Sequence, residues 1–303
     1  MPRMIELSDD QAISLDEMVE AIAGSGFDPS CEASLLNGAL WLRRLANNRQ
    51  FLGDLLIEEL ARRHREDSPD NAYGPQAIML SPPNGRFFVR ANLWPSEQDH
   101  MVRASGGAAF VYGLPHDHNF DFLTVGYFGP GYWSDYYEYD YSQVTGWVGE
   151  PVPSLRFVER SRLEQGKLMH YRAHRDVHAQ FPADSLSVSL NLMHMSGAQG
   201  WLDQYRFDLE TKQIAGIVST GPSEAFLRIA VGLGGDEACD LAHTFARHHP
   251  SERMRLCALD SLAALAPSAQ ARDDLWRTAE LNGSRLVARE ARTRRETAPT
   301  PVP

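Results

Sequence analysis

The chain has 303 residues, enough for about two domains at roughly 150 residues each. Lys and Arg number 29 against 40 for Asp and Glu, and the resulting charge of −11 argues against sequence-independent nucleic-acid binding and against docking on an anionic membrane surface. Hydrophobic residues at 43% and charged residues at 23% describe a soluble globular chain with material for a core, with no apolar run near the roughly 18 residues of a spanning helix.

The opening MPRMIELSDDQA is acidic and lacks an apolar signal-peptide core. Cys31, Cys239 and Cys257 are odd in number, far apart and without a CxxC pair. The expectation is a cytoplasmic chain without a disulfide framework.

Between residues 15 and 65 the apolar positions follow a helical period. Leu35, Leu36, Ala39, Leu40 and Leu42, then Phe51, Leu52, Leu55, Leu56 and Leu60, recur at steps of three and four. Ser14 and Glu17 have the spacing of a capping box. The turn-rich REDSPDNAYGP closes this helical segment, assigned to residues 1–75.

Residues 76–215 change texture. Short runs at 86–93, 108–112, 122–128, 155–159 and 185–193, separated by Gly and Pro, predict strands of a sandwich or barrel. In SLSVSLNLM, Leu186, Val188, Leu190 and Leu192 take one face; Ser185, Ser187, Ser189, Asn191 and Met193 take the other. An apolar outer face over a polar inner one suits a small barrel whose interior holds a site. The aromatic stretch YFGPGYWSDYYEYDYSQVTGW reads as a β-hairpin with tyrosines stacked across strands, or as a lid over an aromatic substrate.

Residues 216–296 return to a helical period in five segments, GPSEAFLRIAVGL, EACDLAHTFARHH, SERMRLCALDSLAAL, QARDDLWRTAELN and SRLVAREARTRRE, with Pro250 and Pro267 at the breaks. ARHHPSERMRLCALDSLAAL resembles one unit of a HEAT-type helical repeat. The Pro-rich tail at 297–303 is expected to be disordered.

Histidines concentrate in the strand-rich block. His116 and His118 form an H-D-H triplet, and on a strand i and i+2 point the same way, so two imidazoles can address one ion. His170, His174 and His178 follow at four-residue steps. As helix they would form one stripe. As strand up to His174, the reading favoured by Gly166 before it and the strand after Pro182, His170, Arg172 and His174 share a face and point toward the cavity of His178. Asp117 and Asp121 are candidate acceptors for ligand imidazoles, and His194 is expected on the surface just past its strand. His243, His248 and His249 read as helix-end residues favourable to the dipole.

YGLPHDHNFDFLTVGYFGPG followed by GKLMHYRAHRDVHAQFPADSLSVSLNLM resembles the two halves of a cupin barrel. The triplet, with no glutamate a few residues later, is most similar to the cysteine dioxygenase group. The resemblance, over residues 86–191, implies a cupin-type β-barrel; with the helical blocks read from periodicity on either side, the expected fold is α+β, the barrel flanked by N-terminal helices and a C-terminal helical domain. The resemblance also implies His116, His118 and His178 as metal ligands, and in F-V-R-A-N-L it implies Arg90 as the holder of a substrate carboxylate. The chain departs from that group at Ser189, Asn191 and Met193, where those enzymes carry Ser, His and Tyr, and at Leu123, where eukaryotic members carry a cysteine.

Three neutral histidines leave a divalent ion most of its charge and about three open positions, which facial-triad iron oxygenases use. The expected function is a mononuclear non-haem metal oxygenase, with Fe(II) (alternatives Cu, Ni or Mn), acting with dioxygen on a small carboxylate-bearing substrate such as an amino acid or derivative. Arg90, His174 and Asn191 are the expected catalytic residues. The competing expectations are an oxygen-independent isomerase or lyase on the same scaffold, and a non-catalytic sensor whose helical regions bind a protein partner or a second copy. No nucleic-acid or membrane partner is expected.

Overall fold

The computed structural model describes residues 2–65, 76–219 and 221–297. Most of the REDSPDNAYGP break and residues 298–303 of the tail lie outside the described residues. After a two-residue strand β1 (Arg3–Met4) come α1 (Leu15–Ser25), α2 (Glu32–Asn47) and α3 (Phe51–Arg65). The capping box forms: Glu17 N–H donates to Ser14 Oγ at 3.2 Å, and Ser14 N–H donates to Glu17 Oε2 at 2.7 Å.

The middle of the chain supplies β2 (Ala77–Met79), β3 (Phe87–Trp94), the short helix α4 (His100–Ser105), β4 (Phe122–Phe128), β5 (Trp133–Glu138), β6 (Arg156–Arg162), β7 (Leu168–Tyr171), β8 (Asp176–Phe181), β9 (Ser187–His194), β10 (Tyr205–Asp208) and β11 (Gln213–Ile217). One antiparallel sheet has the order β1-β7-β4-β9-β3-β2. The second begins β6-β5-β8 and continues through the extended segment at His116, which bridges β8 at His178 and β10 at Arg206. The two sheets face one another across the cavity that both line.

Alternation along the strands explains why the barrel closes around a polar interior. On β3, Val89 and Ala91 join a cluster with Leu42 and Leu45 of α2, as do Leu190 and Leu192 of β9 and Leu123 and Val125 of β4. The helices thus cover the outer face of the large sheet. The opposite positions, Arg90, Asn92 and Asn191, point inward and line a cavity.

The run at 108–112 is a correction: residues Gly107–Phe110 form a 3-10 helix. Gly106 (φ 77°) and Val111 (φ 58°) leave the extended region on either side, and the turn buries Phe110 completely. A short apolar run does not separate strand from turn by periodicity.

The five expected C-terminal helices all form: α5 (Ser223–Gly232), α6 (Asp236–His248), α7 (Glu252–Ala264), α8 (Ala269–Glu280) and α9 (Arg285–Glu296). Ser251, Ser268 and Ser284 cap α7, α8 and α9 by accepting from backbone N–H groups. These helices bury their own cluster, including Leu259, Trp276 and Val287, and the barrel loop residue Trp147 packs against it. Among the described residues no helix is long and apolar enough to cross a membrane.

Candidate metal centre

The H-D-H segment and β8 are held together by backbone pairing. His116 N–H donates to the His178 carbonyl at 3.0 Å, and His178 N–H donates back to the His116 carbonyl at 3.0 Å. This juxtaposition brings residues 62 positions apart in the chain onto one inner surface. Nε2 of His178 lies 3.3 Å from Nε2 of His116 and 3.0 Å from Nε2 of His118. The three candidate ligand atoms all fall within 4.8 Å of one another, and all three residues are buried.

The set fits a metal ion on three grounds. Metal–nitrogen bonds of about 2.0–2.1 Å, at angles between square and tetrahedral, put ligating nitrogens roughly 2.9–3.4 Å apart, and both measured pairs fall there. Second, His116 Nδ1 donates to the Leu114 carbonyl at 2.8 Å, so its proton is on Nδ1 and its Nε2 lone pair faces the other rings. Third, burial holds all three imidazoles below their ordinary titration range, so they are neutral and free to ligate.

The surrounding cavity measures ≈ 240 Å³. Arg90, from the inner face of β3, is its cation; burial pushes the guanidinium down to about 10. Among the described residues, Arg90 makes no side-chain hydrogen bond or ion pair, and its Nε is buried without a partner. Asn191 lies directly across from Arg90 in the β3–β9 register and is 2% exposed. Gln180 follows His178 by two residues on the same face of β8, its amide nitrogen 3.1 Å from both ring nitrogens.

Trp94 and Tyr132 stack at 3.8 Å to form an aromatic wall, joined by Phe120 and Phe122. Nearby, the Tyr136 and Tyr171 hydroxyls pair at 3.0 Å. Burial raises all three phenols, so they stay protonated. No Asp or Glu among the described residues lines the cavity.

Arg90, His116, His118, His178 and Asn191 therefore share one cavity, and His174 does not. β7 ends at Tyr171, and His174 occupies a left-handed turn position at φ 55°, with its ring tilted against Tyr141 at 4.1 Å. The turn closes because Asp176 accepts from the Arg172 backbone N–H at 2.8 Å and from its guanidinium, which breaks the expected strand alternation. His174 contributes its backbone instead: its N–H donates to the His118 carbonyl at 2.8 Å.

His170 faces away from the cavity and bonds Asp121 at 3.0 Å. Asp117 also points away from the ligands, accepting from the Tyr139 hydroxyl at 2.5 Å and the Tyr205 N–H at 2.6 Å. Neither aspartate accepts from a ligand imidazole; those rings instead meet the Leu114 carbonyl, Gln180 and Gln204. His194 ends β9, part-buried edge-on against Phe27, rather than lying on the surface. Trp94 and Gln180 were not singled out from sequence, and Tyr132 was read only as part of the aromatic stretch. The inward phase of β3 and β8 was a usable signal for Trp94 and Gln180, two or four residues from Arg90 and His178.

No protein-family model and no curated protein matches the sequence. Among solved structures, a DMSP lyase from Ruegeria pomeroyi DSS-3 is similar at 10% identity and TM-score 0.25, over 40% of this chain and 47% of that one. This chain thus spans about half the length of the lyase. A cupin domain from Bordetella pertussis matches at 16% identity and TM-score 0.24, over 41% of this chain and 98% of that one. A hydroquinone 1,2-dioxygenase from Sphingomonas sp. TTNP3, solved with 4-hydroxybenzoate bound, matches at 11% identity and TM-score 0.27, over 42% and 70%.

Proposed function

We propose that this protein is a mononuclear metal enzyme, with Fe(II) held by His116, His118 and His178, that uses dioxygen to oxidise a small carboxylate-bearing substrate. The observation that carries the reading is the convergence of three buried, neutral imidazoles at 3.0 and 3.3 Å in a cavity lined by Arg90, whose Nε has no hydrogen-bond partner among the described residues. Iron(II) in a three-histidine set supplies open coordination positions and redox chemistry with dioxygen.

The remaining work falls to the chain's own groups. Arg90 offers a planar fork of N–H donors to a carboxylate, and no Asp or Glu among the described lining residues competes for it. Asn191, opposite it in register, offers a carboxamide to the same end of the substrate. Trp94, Tyr132, Phe120 and Phe122 cover the apolar part and keep water out. Leu114, through its carbonyl, fixes the tautomer and orientation of His116.

Elemental analysis of the purified protein, coupled to oxygen-electrode assays over a panel of small carboxylates, tests the reading. It expects close to one metal per chain, lost in His116→Ala, and oxygen consumption with at least one carboxylate. Metal retained without oxygen uptake would favour an isomerase or lyase on the same scaffold, or a ligand sensor. Negligible metal, unchanged by His116→Ala, would remove the metal-enzyme reading.

A further inference from the structure

We infer that the cavity is built for a small hydroxylated carboxylate anion and discriminates against ammonium-bearing analogues of the same size. This rests on the reading of the cavity as the substrate site and goes further by naming what the substrate must carry.

The argument starts from polar atoms that the fold buries and leaves unpartnered. Four of them belong to cavity residues: Arg90 Nε, Asn92 Oδ1, Gln180 Oε1 and Asn191 Nδ2. Asn191 and Gln180 are 2% and 4% exposed, so bulk water does not satisfy them. Buried polar groups are ordinarily hydrogen-bonded, and a cluster of exceptions at one cavity marks bonds reserved for a ligand. Arg90 can only donate, whereas a carboxamide carries a donor and an acceptor and can turn over to present either. A ligand that satisfies this set must bring acceptors for Arg90 and donors for carboxamide oxygens.

The placement of these groups orders the ligand. Arg90 and Asn191 are register partners on the large sheet, so one carboxylate can take donors from both. Gln180 stands on the opposite sheet beside His178, so its oxygen is the acceptor for a hydroxyl carried toward the histidine cluster. Asn92, two residues along from Arg90 on the same face, can accept from a hydroxyl nearer the carboxylate. A volume of ≈ 240 Å³ is about eight water volumes, room for a molecule of roughly eight non-hydrogen atoms.

Charge excludes the amino counterpart. An ammonium group inside this cavity would meet the Arg90 guanidinium with no lining carboxylate among the described residues to offset it. Like charges brought together without solvent oppose binding strongly. A hydroxyl makes the same donated bond to Gln180 or Asn92 without that repulsion.

The test is calorimetric titration of the full-length protein, metal-loaded and metal-free, with 2- and 3-hydroxybutyrate, butyrate, 2- and 3-aminobutyrate, and the hydroxybutyrate methyl esters. The expected result is that one hydroxybutyrate isomer binds about 5- to 10-fold more tightly than butyrate. The aminobutyrates and esters should bind at least about 30-fold more weakly than that isomer. Arg90→Gln should weaken binding of every acid by roughly 10- to 100-fold, and Gln180→Leu combined with Asn92→Leu should bring hydroxybutyrate down to butyrate. Amino acids binding as well as the hydroxy acids, or no acid binding to the folded wild-type protein, would overturn the inference. Metal content measured on the same samples keeps the two claims apart. An empty histidine cluster with the hydroxy-acid preference intact contradicts the metal reading alone. A full cluster with aminobutyrate preferred contradicts only this inference.

Discussion

His116 and His178 stand directly opposite one another, each giving its backbone N–H to the other's carbonyl at 3.0 Å. The bond pair fixes two candidate ligand residues from distant parts of the chain before any side chain is considered. Their ring nitrogens then meet at 3.3 Å, so the centre is preorganised by sheet pairing and depends little on loop conformation. Metal binding should accordingly be strongly coupled to stability. An ion at 100 times its dissociation constant raises unfolding free energy by about 2.7 kcal/mol. Thermal melts with and without ferrous ion or zinc should show that rise, and in His178→Ala the shift should disappear.

The neutral state of the cluster gives a pH signature. Burial lowers the titration of His116, His118 and His178 from the ordinary 6.5. Below pH 6.5 the unfolded chain takes up protons that the folded state refuses, so stability drops as the solution is acidified, by up to about 1.4 kcal/mol per pH unit for each histidine. Asp117 acts oppositely: its carboxyl is raised to about 7, so folding gains stability as pH falls through that value toward the ordinary carboxylate range. Asp203, raised by burial to about 6, acts with Asp117, and His174, His194 and His249, lowered by burial, act with the cluster, so the histidines outnumber the carboxyls. Metal-free protein should melt at a lower temperature at pH 5.5 than at pH 7.5, and an increase on acidification would count against the neutral cluster.

Arg90 separates stability from function. Arg90 Nε is a buried donor with no partner among the described residues, which costs the folded state, and substitution by an apolar residue of similar length removes that cost. Arg90→Met should raise the melting temperature of the ligand-free protein. The same change should weaken a carboxylate substrate by roughly 10- to 100-fold in KM, from the loss of a charge-assisted bond worth about 1.5–3 kcal/mol. Equal stability and equal KM in the variant would mean that the residue is neither strained nor engaged.

Asp117, between the two ligand histidines in sequence, anchors their segment from behind. It is fully buried and takes the Tyr139 hydroxyl at 2.5 Å and the Tyr205 N–H at 2.6 Å. Tyr139→Phe leaves the carboxylate short of a donor and should cost about 1–3 kcal/mol in urea unfolding. A cost near zero would show that the segment is held by backbone pairing alone.

Gly131 marks the close crossing of β4 and β5 against the end of β6. Its φ of 87° disfavours a side chain, and a Cβ there would overlap the Leu163 carbonyl. Gly131→Ala should destabilise by about 3 kcal/mol, combining left-handed strain with backbone overpacking, as read by chemical denaturation.

What could be read in the sequence followed from periodicity. The alternation of SLSVSLNLM placed Asn191 inside and Leu190 and Leu192 under the helices, where they lie. The i, i+2 spacing put His116 and His118 on one surface, and both flanking helical blocks followed their three- and four-residue steps. His174 was misplaced because a single left-handed residue and the Asp176–Arg172 bonds end the strand, and neither leaves a periodic trace. Gln180 escaped notice because a carboxamide carries no motif, and Tyr132 was read only as one ring of its aromatic stretch; the folded sheets reveal that both face the cavity.

The most direct measurement is metal stoichiometry by elemental analysis of wild-type protein beside His116→Ala, His118→Ala and His178→Ala, each checked for retained fold by circular dichroism. The account predicts about one ion per wild-type chain and a drop to near background in every variant. Folded variants that keep the wild-type metal content would contradict it.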